Sequence, residues 1–215
     1  WIVALLGMAT SFMESTLAQI FKVKGKDGLS HGGPAYYIER GLGSRTWGVI
    51  FAALLVFSYG LIFPMVQSNT IAQQFKSTAG IPVWVTALVL VAISIPIMLG
   101  GLRRVAKVTE HLVPIMAIIY LLVSLITILM NITDLPRVFS DIFAGAFGLR
   151  AGLAGVGGGL WATMFNGAKR GLFSNEAGQG SMPNGAATAD VPHPVVQGLI
   201  QSLGTFVDTI IVCSM

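Results

Sequence analysis

Long intervals without charge fix what this chain can fold into. No Asp, Glu, Lys or Arg lies between Arg45 and Lys76, between Lys76 and Arg103, or between Glu110 and Asp134. A helix rises about 1.5 Å per residue, so ~20 apolar residues cross a hydrocarbon core of about 30 Å. Each interval is long enough. The spans expected are about 1–21, 47–69, 82–101, 112–130 and 193–215, the last holding one charge, Asp208. A weaker, glycine-interrupted hydrophobic stretch occupies 159–190. Charged residues make up 10% of the chain and hydrophobic residues 54%. A soluble domain carries roughly a quarter of its residues as charges, and disorder needs a chain poor in apolar side chains. One cysteine, Cys213, excludes a disulfide scaffold. The expected class is an all-α multi-pass membrane protein, with 1–215 as one transmembrane domain. Trp1 and Met215 both lie inside apolar segments, so the chain reads as a piece of a longer protein.

Basic residues in the short loops set direction, because Lys and Arg concentrate on the cytoplasmic side. Lys22, Lys24, Lys26, Arg40 and Arg45 follow the first span; Arg103, Arg104 and Lys107 follow the third. An even number of crossings separates the two groups, so both are expected inside. The net charge of +4 is accounted for by these loops, and no nucleic-acid partner is expected. Within the first loop, GGPAYYIERGLG reads as a short interfacial helix, with Pro34 in its first turn and Tyr36 and Tyr37 at headgroup level.

Polar groups inside a span are functional candidates, since lipid penalises them unless they are paired or face water. Glu14 shares a helical face with Thr10, Ser11 and Ala18. It reads either as a packing carboxylate or as an ion or proton site. Gln67, Ser68, Asn69 and Thr70 follow Pro64, which frees a backbone carbonyl. They either line a cavity or mark a helix end entering the headgroups. The strongest feature is KRGLFSNEAGQGSMPNGAATADVPHP, 169–194. It is too polar to face lipid, and its glycines and Pro183 loosen a helix. Non-helical backbone at membrane depth is tolerated where it is covered by protein or lines a water-filled cavity. A broken helix there presents free N–H groups to anions and free carbonyls to cations. Ser174, Asn175 and Glu176 add hard oxygen donors of the kind sodium takes. Lys169 and Arg170 are candidate partners for Glu176. The alternative is a cytoplasmic loop with a helix cap at Ser174 or Asn175. The glycine-rich run AGAFGLRAGLAGVGGGL before it lacks the Gly-Lys-Ser/Thr ending of a nucleotide loop and reads as an outer connection or re-entrant piece.

RGLFSNEAGQGS, followed by HPVVQGLIQSLGTFVDTIIVC, strongly resembles the alanine or glycine:cation symporter family, also called sodium:alanine symporters or amino acid carrier proteins. GMATSFMESTLAQ, GGPAYYIERGLG and VQSNTIAQQF match the same family in the same order. The resemblance implies a partial leucine-transporter-type inverted-repeat fold, in which this chain supplies the second to seventh core helices. Residues 159–190 would be the second broken helix, entering from outside and breaking near Ser174–Gly178. The first broken helix and the last helices of the family would be missing. The implied function is symport of a small neutral amino acid, alanine or glycine, with sodium by alternating access. The implied setting is the lipid bilayer of a plasma membrane, such as a bacterial inner membrane. The substrate would meet Gln67, Asn69, Phe173, Ser174, Asn175, Glu176 and Gly178. The ion would meet Ser174, Asn175, Asp208 and Thr209. Sodium is the coupling ion, and no prosthetic group or structural metal is expected. Two other classes compete. An ion channel would use the glycine-rich run at 151–160. An intramembrane hydrolase would use Ser174 or Ser181 as nucleophile and His193 as base.

Overall fold

The computed structural model describes residues 1–25, 28, 30–146 and 158–215, apart from the side chains at 102, 103, 158–160 and 163. Lys26 of the first basic loop, the side chain of Arg103 and most of the glycine-rich connection (147–157) lie outside the described residues. In chain order the elements are α1 (Ile2–Ile20), β1 (Val23–Lys24), β2 (Ser30–His31), α2 (Pro34–Gly41), α3 (Arg45–Phe57), α4 (Phe63–Ala79), α5 (Val83–Leu99), α6 (Gly101–Met130), α7 (Leu135–Ala146), α8 (Gly158–Asn175), α9 (Ser181–Thr188) and α10 (Pro194–Phe206). Among the described residues four helical runs are long and apolar enough to cross a membrane: Ile2–Ile20, Arg45–Ala79, Arg104–Met130 and Pro194–Ser214. Val83–Leu99 is a shorter apolar helix. The protein is therefore an α-helical multi-pass membrane protein. Among the described residues its departure from all-α is a two-residue antiparallel pairing, Val23 opposite His31 and Lys24 opposite Ser30.

Two compact units form, Trp1–Ala52 with Ser124–Met215, and Ala53–Val123. In the first, α1 packs on α10, α9 and α8. The buried positions of α1 include Ala4, Gly7, Ser11, Ser15 and Ala18, three or four apart and so on one face. In lipid there is no hydrophobic drive between apolar helices, so close backbone approach through small residues does the packing. Gly198 of α10 shows how close: a Cβ there would lie 2.9 Å from the Phe12 carbonyl oxygen. The Ser11 and Thr205 hydroxyls bond across this seam at 2.7 Å. The opposite face of α1 carries Ile2 and Leu6, both largely exposed.

In the second unit the helix does not stop at residue 69. A π-turn, Ser58–Ile62, joins α3 to α4, which continues to Ala79 and ends on Gly80 in the left-handed region (φ 67°). Pro64 has no N–H to give the carbonyl four residues back, and a widened turn absorbs the mismatch. The Ser68 hydroxyl donates to the Pro64 carbonyl at 2.7 Å and Thr70 to that of Val66 at 2.9 Å. The polar run 67–70 thus lies inside a helix rather than at its end. The expected span 112–130 also lengthens: α6 is one helix of 30 residues that carries Arg104, Lys107 and Glu110 in its own early turns. Gly101 (φ 70°) makes the sharp entry.

Candidate functional site

Five residues, Glu176–Gly180, separate α8 from α9. Glu176 (φ 52°), Gly178 (φ 82°) and Gly180 (φ 83°) are left-handed, and Glu176 is the one non-glycine residue so placed among the described residues. Such a conformation costs of order 1–3 kcal/mol and persists where surroundings enforce it. Here they do. Asn175 Oδ1 accepts the Ala177 N–H at 3.1 Å, and the Gln179 amide donates to the Leu172 carbonyl at 2.7 Å. The Glu176 carboxylate accepts the Ser181 hydroxyl. From α1, Glu14 Oε2 accepts the Gly178 N–H at 3.0 Å. The helix runs through Ser174 and Asn175, so the break begins two residues later than the expected Ser174.

Beside the break lies a cavity of about 260 Å³ lined by Ser174, Asn175, Glu176, Met182, Gly204, Thr205 and Asp208. Pockets for drug-sized ligands run about 300–1,000 Å³, so this one suits a smaller molecule. Asp208 sits in a second π-turn, Val207–Ile211, that prolongs α10. π-turns recur at functional sites because they re-aim side chains out of helical register. Ser174 Oγ donates to Asp208 Oδ2 at 2.5 Å, and the Thr209 hydroxyl lies 3.4 Å from the same oxygen. Cys213 Sγ is 3.1 Å from Ser174 Oγ. Asn175 is 2% exposed, and its Nδ2 is buried without a hydrogen-bond partner among the described residues. An unpaired buried amide costs roughly 1–3 kcal/mol. Gly7 permits this approach: a Cβ there would lie 3.3 Å from that nitrogen. Tyr37 of α2 lies within electrostatic reach of Glu14. Burial, with the Glu14 charge adding to it, pushes the Tyr37 phenol up to about 12.

The structure therefore brings Ser174, Asn175, Glu176 and Asp208 together on one cavity, with Thr209 beside Asp208. Gly178 lies in the break with its N–H on Glu14. Phe173 is 39% exposed and does not line the cavity. Gln67 and Asn69 lie exposed on α4, in the other unit. Glu176 is held by Ser181; neither Lys169 nor Arg170, both exposed, pairs with it. The hydrolase constellation is not assembled: His193 caps α10, its Nδ1 accepting the Val195 N–H at 3.2 Å, while Ser174 and Ser181 turn their hydroxyls to carboxylates. Thr205 and Met182 line the cavity unanticipated. Thr205 stands three and four residues before Asp208 and Thr209, and that helical spacing is the signal that marks it.

The sequence profile of the sodium:alanine symporter family matches residues 1–215. The amino-acid carrier protein AlsT of Bacillus subtilis is 50% identical over 215 residues, covering 100% of this chain and 45% of that protein. The probable sodium/glutamine symporter GlnT of the same organism is 47% identical over 100% of this chain and 44% of its own length. The sodium/alanine symporter AgcS of Methanococcus maripaludis is 38% identical, over 100% and 48%. The chain spans a little under half the length of these relatives.

Proposed function

The chain belongs to the sodium:alanine symporter family, a family of transporters and not of enzymes, and we propose that the whole protein moves a small neutral amino acid, alanine or glycine, into the cell with sodium by alternating access. The observation that carries this is the joining of three features at one cavity: the left-handed break, the unpartnered Asn175 amide and the Ser174–Asp208 pair. A carboxylate within a membrane helix is costly unless it is paired or faces water. No Lys, Arg or His among the described residues pairs with Asp208. Sodium suits this cluster, because Asp208, Ser174 and Thr209 offer the hard oxygens it prefers. The substrate ammonium is drawn to the carbonyl end of α8, and its carboxylate to the donor Nδ2 of Asn175 and the N-terminal end of α9. Glu176 and Gly178 shape the turn that separates those ends. Phe173, Gln67 and Asn69 rest on residue chemistry and resemblance alone. In this reading α8, the break and α9 form the second discontinuous helix of a leucine-transporter-type repeat, α1 its second core helix and α10 its seventh, in a plasma membrane.

Selectivity for alanine or glycine is steric, and one methylene in an apolar pocket is worth about 1–3 kcal/mol. The test is uptake of labelled alanine and glycine into proteoliposomes holding the full-length protein under a sodium gradient. Uptake that needs the gradient and falls in Asn175→Ala supports the reading. Uptake indifferent to Asn175→Ala removes the site, and a steady sodium current without amino acid replaces symport with a channel.

A further inference from the structure

α9 has eight residues. Isolated helices shorter than about 12 residues are marginal, so contacts and not propensity decide where α9 points. Those contacts come chiefly from the end of α1 and the chain that follows it as far as Pro34, with Phe51 beside Gly180. At the far end of α9, Gln19 Nε2 donates to the carbonyls of Ala186 (2.5 Å) and Ala189 (2.9 Å). Lys22 Nζ donates to Gln19 Oε1 (2.7 Å) and to the Ala189 carbonyl (3.1 Å). Both polar ends of Gln19, a side chain 4% exposed, are thereby engaged. The last carbonyls of a helix lack intrahelical partners, and a cation is favourable there. The near end is held by shape. Asn184 Nδ2 donates to the Gly180 carbonyl at 2.8 Å. A Cβ at Gly33 would strike the Asn184 side chain, and one at Gly180 would lie 2.8 Å from Pro34 and 2.6 Å from the Phe51 ring. At Gly32 a Cβ would lie 2.6 Å from Ala187 Cβ and 2.8 Å from the Ala18 carbonyl.

We propose that Gln19 and Lys22 are positioning residues for transport: they clamp the far end of α9 to α1 and so fix the Glu176–Gly180 break in its binding-competent geometry. Gly180 joins α9 directly to the break, so a shift of α9 draws Gly178 from Glu14 and Met182 from the cavity. A loosened break must be ordered again whenever ligand binds, and that cost appears as weaker affinity rather than slower turnover. The inference rests on the transport site proposed above.

The experiment uses the full-length protein in proteoliposomes. Gln19→Leu is expected to raise the KM for alanine about tenfold and Lys22→Met about threefold, the scale of one lost hydrogen bond to a charged or buried group. Vmax per folded molecule stays within about twofold, and Lys22→Arg restores the parent KM. A second measurement needs no transport. In a background stripped of native cysteines, Cys213→Ala included, spin labels at Arg40 and Thr188, both exposed, report a narrow distance distribution that broadens in Gln19→Leu. An unchanged KM with a narrow distribution overturns the clamp. So does a fall in folded protein with KM unchanged, which is the signature of a structural role alone. If the parent shows no sodium-driven uptake, the proposed function fails, and the label distances still decide whether the clamp exists.

Discussion

At the scale of single residues, the site turns on groups whose partners are short of what their chemistry demands. The Ser174 hydroxyl donates a hydrogen bond to Asp208 Oδ2 at 2.5 Å. Ser174→Ala is therefore expected to leave the carboxylate with one donor fewer and to weaken sodium activation of uptake about tenfold, read as the sodium concentration for half-maximal rate. Tyr37 offers a check of geometry by titration. Its phenol is raised from 10.0 to about 12 by burial and by Glu14. A folded-state pKa above the unfolded value contributes stability that is complete below pH ~10 and is lost as pH rises towards 12. The phenolate absorbance removed by Tyr37→Phe should thus appear near 12, fall only in smaller part in Glu14→Gln because burial is the larger cause, and take with it part of the alkaline loss of stability. A titration of this phenol at its ordinary value refutes the packing of α2 on α1. Ser174, Asn175, Glu176 and Asp208 were legible as residue types, because oxygen-bearing side chains stand out in apolar sequence. That Glu14 grips the Gly178 N–H was not, since nothing in a sequence shows which backbone donor a distant carboxylate meets.

At the scale of elements, glycine has two opposite roles that sequence does not separate. Gly198 lies where α10 meets α1, and a methyl there would press on the Phe12 carbonyl and the Thr16 side chain. Gly198→Ala is expected to cost about 1–3 kcal/mol by overpacking, seen as a lower Tm in detergent. Gly185 of α9 has nothing within 4 Å of its absent Cβ and no left-handed φ. Gly185→Ala should stabilise by up to ~1 kcal/mol through helix propensity. Opposite shifts from the same chemical change would establish the seam between α1 and α10. The break itself was legible from the density of glycines over 171–185, but its first residue was not. Helix persists to Asn175 because Gln179 reaches back to the Leu172 carbonyl, and the first left-handed residue is Glu176, which no glycine count marks. Helix α4 runs ten residues past the expected span end at 69 for a related reason. Lys76 reads as a boundary charge, yet in the last turn before Gly80 it is favourable at a helix C-terminus.

At the scale of the whole molecule, the proposed sodium site would link ion binding to folding. An ion that binds the native site and not the unfolded chain stabilises the native state by RT ln(1 + [L]/Kd), about 2.7 kcal/mol when its concentration is a hundred times Kd. In the proposed site Asp208 supplies the negative charge, and no Lys, Arg or His among the described residues pairs with it. Sodium should therefore raise the Tm of the full-length protein in detergent with a logarithmic dependence on concentration, while choline at equal ionic strength should not. Asp208→Asn keeps the shape of the side chain and removes the charge. It is expected to abolish the sodium-dependent part of the shift and to leave the Tm in choline close to that of the parent, because the desolvation cost of the carboxylate disappears with its charge. Alanine added with sodium should raise the Tm further, and alanine with choline far less, since coupled ligands strengthen each other's binding by the same factor. A sodium effect that survives Asp208→Asn would move the ion elsewhere while leaving symport intact. An alanine effect independent of sodium would break the coupling itself.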